Sequence, residues 1–180
     1  MISNHIKIKY KSRGLRDLII IHLNDLYDYT IAVAEVIPGM QAEYNLMVNM
    51  MARDNSPSAQ VVIAKNQVFI AERILRSLSG MTNSDEFQVS NMDDFSADLE
   101  TFNSYLKAQL NGNSELGVIR INDPELRLSL ESIQRDVDEI LIPGSLNLNK
   151  NAEQIIQVSK AVKDNQTKSD EIFSKLEKLE

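Results

Sequence analysis

Apolar residues along this chain recur mostly at alternating steps of three and four, the spacing that lines up one face of an α-helix. Leu23, Leu26, Thr30, Val33, Ile37, Met40, Tyr44, Met47 and Met51 keep that rhythm and predict a first helix over 17–52. Pro38-Gly39 falls inside it. Proline removes a backbone N–H and crowds the preceding turn, so a kink or break is expected there. "DNSPS" (Asp54 to Ser58) reads as a turn, with Pro57 at the entrance of the next helix. In "VVIAKNQVFIAERILRSLSGM", Val61, Ala64, Val68, Ala71, Leu75 and Leu78 form the seam of a second helix over 58–81.

Met92, Phe95, Leu99, Phe102 and Leu106 predict a third helix over 92–110, ended by "NGN". "NDPE" then offers Asp123 as a cap, Pro124 at the first helical position and Glu125 at the positive end of the dipole. A fourth helix over 123–141 carries Leu126, Leu130, Ile133, Val137 and Ile140 and is expected to stop at "IPGS". The last, over 149–180, carries Ile155, Val158, Val162, Ile172, Leu176 and Leu179. Asn165 and Ser169 occupy the remaining seam positions of that helix. They read either as a polar layer that sets register or as a joint that carries a signal.

The expected fold is all-α. Segments 38–52, 58–81, 92–110 and 123–141 would form an antiparallel four-helix bundle. Segments 17–37 and 149–180 would extend from it as a long helical stalk pair, with the left-handed 3-4 packing that such seams favour. "LGVIRIN" (Leu116 to Asn122) is the one strand candidate, and it is short.

Composition narrows the chemistry. The 180 residues contain no cysteine, so disulfides and thiolate metal sites are excluded. The histidines, His5 and His22, have no helically spaced Glu, and no phosphate loop, nucleophile elbow or calcium loop is present. Nothing pairs a nucleophile with a base, so the expectation is a non-enzymatic protein without a cofactor or metal. Lys7, Lys9, Lys11, Arg13 and Arg16 make residues 1–16 a basic leader, expected to be poorly ordered, at +5. The total is −7, which leaves −12 on residues 17–180, a balance that disfavours nucleic acid. The apolar run Leu18 to Ile21 is too short for a signal peptide, and no stretch approaches a membrane span.

"VIPGMQAEYNLMV", "AERILRSL", "NSELGV", "DPELRLSL" and "VDEIL" occur in that order between about Leu23 and Glu180. Together they resemble the sensory region of the PilJ family of type IV pilus methyl-accepting chemoreceptors. The resemblance implies a periplasmic helical module held by flanking membrane helices absent from this chain, one of two in tandem. It further implies a homodimer in the full receptor, input from a pilus subunit or small ligand, and output to a cytoplasmic signalling domain that controls twitching motility. Nitrate and nitrite sensors of the broader family carry a pattern like Arg-Met-x-Ser-x-Arg in their second helix. It falls here on Val68-Phe69-Ile70-Ala71-Glu72-Arg73, so a valine stands where the anion-binding arginine would be. Arg73 and Arg76 share one side of the helix and remain candidates for a small-anion site. The alternative is pairing with acids on a neighbouring helix, such as Asp98, Glu131 or Asp138. Met50, off the seam of the first helix, is a candidate partner contact. Three functions remain open on these residues: a sensor that works by helix displacement, a ligand-free coiled-coil scaffold, and a small-anion receptor.

Overall fold

The computed structural model describes the backbone of residues 2–83 and 89–177. Side chains are described for Asp25, residues 27–81 and 91–151, and scattered positions beyond. The fold is all-α, with helices α1 (Ile2–Arg53), α2 (Ser58–Asn83), α3 (Val89–Asn111), α4 (Pro124–Asp136) and α5 (Ile142–Glu177). A π-helical turn, Val137–Leu141, joins α4 to α5 without a loop.

Neither Pro38-Gly39 nor "IPGS" ends a helix. Helix α1 runs through Pro38 and Gly39, both exposed, and takes in residues 2–16, set apart above as a leader. "IPGS" does not end the fourth helix either: α5 starts at Ile142, and Pro143 lies in its first turn. A proline there would press on the carbonyl four residues back, and the wider π turn makes room for its ring. Within that turn the Ile142 N–H donates to the carbonyl of Val137, five residues back. The extra residue shifts the buried face by one place. The buried line reads Leu126, Leu130, Ile133, Val137, Leu141, Ser145 and Leu148, with Ile140 displaced to a half-buried position.

The turn at 54–57 closes α1 with Asn55 in the left-handed region (φ 55°) and with Asp54 and Ser56 N–H bonded to the Met50 and Met51 carbonyls. At the other end of α3, Gly112 takes φ 83° and its N–H bonds to the Ala108 carbonyl at 2.7 Å. "LGVIRIN" forms no strand. Asn113 and Val118 exchange backbone hydrogen bonds in one isolated bridge, and Gly117 takes the positive φ (65°) that this tight turn needs. Asp123 Oδ1 then accepts from Glu125 and Leu126 N–H and starts α4, with Pro124 at its first position.

One hydrophobic cluster joins all five helices. Val33, Ile37, Met40, Tyr44, Met47 and Met51 of α1 meet Ala64, Ala71, Ile74 and Leu78 of α2 and Phe95, Leu99, Phe102 and Leu106 of α3. Leu130, Ile133, Leu141 and Leu148 close it. Val33 and Ile37 therefore belong to the main core rather than to a stalk. Seam residues Leu23, Leu26, Ile155, Val158, Val162, Ile172 and Leu176, and so most of the stalk pair, lie outside the described side chains.

The seam of α2 departs from expectation. Its fully buried line is Gln60, Ala64, Gln67, Ala71, Ile74, Leu78 and Met81, while Val61, Val68 and Leu75 are half-buried on its flank. Helix α2 touches both α1 and α3 along its length, so its buried face is wide, and its centre contains two glutamines that hydropathy alone assigns to solvent.

Candidate functional site

Three polar features interrupt this apolar interior. The first is a hydrogen-bonded chain at mid-height. Gln67 Nε2 donates to the Phe102 carbonyl at 2.9 Å and to Tyr44 Oη at 3.3 Å. Tyr44 Oη donates in turn to Gln109 Oε1 at 2.9 Å. The Tyr44 ring meets Phe102 edge-on, centroids 5.8 Å apart. Burial holds the Tyr44 phenol above the ordinary tyrosine range despite the Gln67 hydrogen bond, so it stays a neutral donor.

The second feature is a joint between the first and last helices. Tyr29 lies edge-on to Phe95 (6.1 Å, 88°), and its hydroxyl donates to the Leu141 carbonyl at 2.8 Å, on the last residue of the π turn. A Cβ at Gly144 would overlap the Tyr29 ring, so glycine is what lets α1 approach this closely. Burial again raises the Tyr29 phenol.

The third lies at the end of the molecule that carries the 54–57 turn. Gln60 grips the 112–123 segment by both halves of its amide: Nε2 to the Gly117 carbonyl and Oε1 from the Ile119 N–H, each at 2.9 Å. Arg127 ties the same segment to α3, donating to the carbonyls of Leu110 (2.9 Å) and Ile121 (3.2 Å). A cavity of about 220 Å³ opens beside them, lined by Met51, Pro57, Gln60, Ile119, Arg120 and Leu126 among others.

The residues singled out from the sequence fall elsewhere. Arg73 Nε bonds to Asp98 Oδ2 at 3.0 Å and its Nη2 to the other oxygen, so the fork is given over to a carboxylate of α3. This contact raises the Arg73 pKa. Among the described residues, Arg76 pairs with Glu72, one turn away at 3.9 Å. Arg73 and Arg76 thus do not converge on an anion. Met50 is half-buried against the core. Asn165 and Ser169 are exposed, and Ser169 Oγ donates to the Asn165 carbonyl at 2.9 Å, within its own helix. Sequence reasoning missed Gln60, Gln67, Gln109, Tyr29 and Gly144. Gln60 and Gln67 carried a signal, because each lies one or two turns from buried alanines on the same face.

Titration calorimetry with nitrate is expected to give no saturable heat. Arg73→Ala should cost about 1 kcal/mol of stability, since the Arg73 side chain is half-exposed even though Asp98 is largely covered. Saturable heat that disappears in Arg73→Ala would reverse this assignment.

Among the described residues, no helix is long and apolar enough to cross a membrane, and no group of three His, Cys, Asp or Glu is placed to hold a metal. No protein-family model matches the chain. Its sequence is 27% identical over 137 residues to the methyl-accepting chemotaxis protein AlkN of Alcanivorax borkumensis, covering 76% of this chain and 20% of that protein. The class is therefore a methyl-accepting chemoreceptor region, built here as an all-helical module. More narrowly the chain is PilJ-like. It is 31% identical over 148 residues to Protein PilJ of Pseudomonas aeruginosa, covering 77% of this chain and 22% of PilJ. It spans about a fifth of the length of either relative.

Proposed function

We propose that this chain is the extracytoplasmic, periplasmic sensor module of a methyl-accepting receptor that controls type IV pilus twitching motility. It performs no catalysis, and it acts as a homodimer within the full receptor. Its architecture is an antiparallel four-helix bundle with left-handed packing, whose first and last helices continue as a stalk pair. The pairwise contacts support this: as α2 numbers rise from Gln60 through Gln67 to Arg73, their α3-side partners fall from Gly117 through Phe102 to Asp98.

The observation that carries the reading is the joint at Tyr29. The π turn is the continuous backbone link from α4 into α5, and Tyr29 fastens α1 to that turn. A π turn is a place where one residue can be gained or lost from a helical register at modest cost. Two packings that differ there would displace α5 along α1, and an input need only bind one of them better to shift the population. The small-anion reading has no comparable support, because Asp98 already holds Arg73.

The test is Tyr29→Phe in the full-length receptor. The ring and its contact with Phe95 remain, while the bond to Leu141 is lost, a change of about 0.5–1.5 kcal/mol in folding. Basal signalling output and twitching are expected to shift at normal receptor levels. Unaltered output and an unaltered response to surface contact would favour a ligand-free scaffold.

A further inference from the structure

The segment from Val118 to Asp123 is tied down along one edge and open along the other. The Val118 N–H and carbonyl are both bonded to Asn113. The Ile119 N–H goes to Gln60 Oε1 and the Ile121 N–H to the Gln109 carbonyl, each at 2.9 Å. The Ile121 carbonyl accepts from Arg127. Amides two residues apart that both turn into the protein mark an extended chain, in which successive groups alternate. The N–H and carbonyl groups of Arg120 and Asn122 therefore point the other way. They have no partner among the described residues, and both residues are exposed.

This is the open edge of a strand without a sheet, a feature that proteins usually cover or blunt. Here it is held in place instead. Gln60 commits both halves of its amide to the segment, Arg127 clamps it to α3, and the Val118 and Ile121 side chains are buried. Between those two anchors Ile119 is 60% exposed. The cavity of about 220 Å³ follows the same stretch: every residue from Ile119 to Asp123 lines it, and Met51, Pro57 and Leu126 add apolar wall.

A small solute could fill the cavity but would leave the edge unpaired, whereas an extended peptide uses both. Strand addition takes its affinity from main-chain hydrogen bonds and its specificity from pockets for alternate side chains. Ile119 and Ile121 share one face of the segment, and both line the cavity. Every second side chain of an added strand would fall on that face. Arg53 lies within electrostatic reach of Asp54, Asp123 and Glu125, so with Arg120 the rim carries both signs, while residues 17–180 carry −12 in all. That balance favours a neutral or weakly basic segment over an acidic one.

We propose that the edge at residues 119–122 is a docking site for an extended, aliphatic segment of a partner protein, which adds as a short strand and seats a side chain in the cavity. The proposal deepens the sensory reading by naming a protein segment as the input, and only that consequence rests on the reading.

The probe is the blocked pentapeptide acetyl-Lys-Val-Leu-Val-Lys-amide, titrated into the full chain and followed by backbone amide NMR. Saturable shifts are expected at Ile119, Arg120 and Asn122, with a Kd on the order of 1 mM, as suits so short a peptide. Hydrogen exchange of the Arg120 and Asn122 amides should slow about tenfold with peptide at about ten times its Kd. The same peptide N-methylated at its three central residues keeps the side chains and loses the donors, so its affinity should fall at least about tenfold. Ile119→Asp should weaken binding to a similar degree, and the exposure of Ile119 lets it be replaced without harm to the fold. Arg120→Ala leaves the backbone edge in place and should bind as the parent does. If circular dichroism shows Ile119→Asp to be misfolded, Ser56→Trp, which fills the cavity from its half-buried wall, replaces it. Three results would overturn the proposal. One is no saturable shift along 119–122. Another is an N-methylated peptide that binds as tightly as its parent, which would leave an apolar pocket alone. The third is loss of binding in Arg120→Ala, which would make this a site for a charged group. These readouts use the chain by itself, so their failure leaves the receptor role standing. A scaffold result from Tyr29→Phe would likewise leave the docking intact.

Discussion

Gly144→Ala is expected to destabilise the protein by about 3 kcal/mol, although glycine-to-alanine changes inside helices ordinarily stabilise by about 1 kcal/mol. The sign reverses because the new methyl group would occupy the space of the Tyr29 ring. Tyr29 cannot withdraw freely. Its edge contact with Phe95 and its bond to the Leu141 carbonyl hold it, and giving up both forfeits about 1–3 kcal/mol. Gly39 supplies the control: it too is helical, but a Cβ there would meet nothing within 4 Å, so Gly39→Ala should raise stability by the usual amount. Urea melts read both. Combining Gly144→Ala with Tyr29→Ala should cost less than the sum of the two single changes, because the clash is counted only once. If Gly144→Ala melts at or above the parent chain, Tyr29 does not rest on Gly144 and the joint described here is wrong.

That joint was largely invisible in the sequence, and the reason is physical. Pro143-Gly144 is the chemistry of a turn, and a pattern reader ends a helix there. What permits continuation is the π turn just before it. Its only trace in the sequence is a slip of the apolar face, from the expected Ile140 to Leu141 and on to Ser145 and Leu148. The alternation in α1 and α3 was legible throughout the described side chains, since Met40, Tyr44, Met47, Phe95, Leu99 and Phe102 are all buried as the spacing requires. Helix α2 misled because hydropathy sorts glutamine outward. A glutamine whose hydrogens find a carbonyl and a phenol can sit at the centre of a core, and only the tertiary arrangement supplies those partners. Arg73 shows the converse. The residue and one of its possible partners, Asp98, could both be named from sequence, but whether the arginine faced an anion or an acid depended on how α2 lies against α3.

Tyr44 is where these threads meet, and Tyr44→Phe should cost about 2–3 kcal/mol while changing the volume hardly at all. The ring keeps its edge contact with Phe102, and the side chain stays fully buried. Only the hydroxyl goes. Its loss strands Gln109 Oε1 and one hydrogen of Gln67, in a core where Gln67 Oε1 and Gln109 Nε2 already lack partners. Each newly unpaired group brings a desolvation penalty of about 1–3 kcal/mol, partly relieved if water enters. The penalty belongs to the stranded amides rather than to the phenol. Replacing Gln67 and Gln109 with leucine in the Tyr44→Phe background should therefore recover most of the lost stability, since a wholly apolar layer leaves nothing unsatisfied. Urea melts of the single and triple variants separate the two ideas. A triple variant no more stable than Tyr44→Phe would mean that the polar chain is held by packing alone. Recovery would mean that this core tolerates an apolar layer, and that the glutamines are kept at a cost in stability.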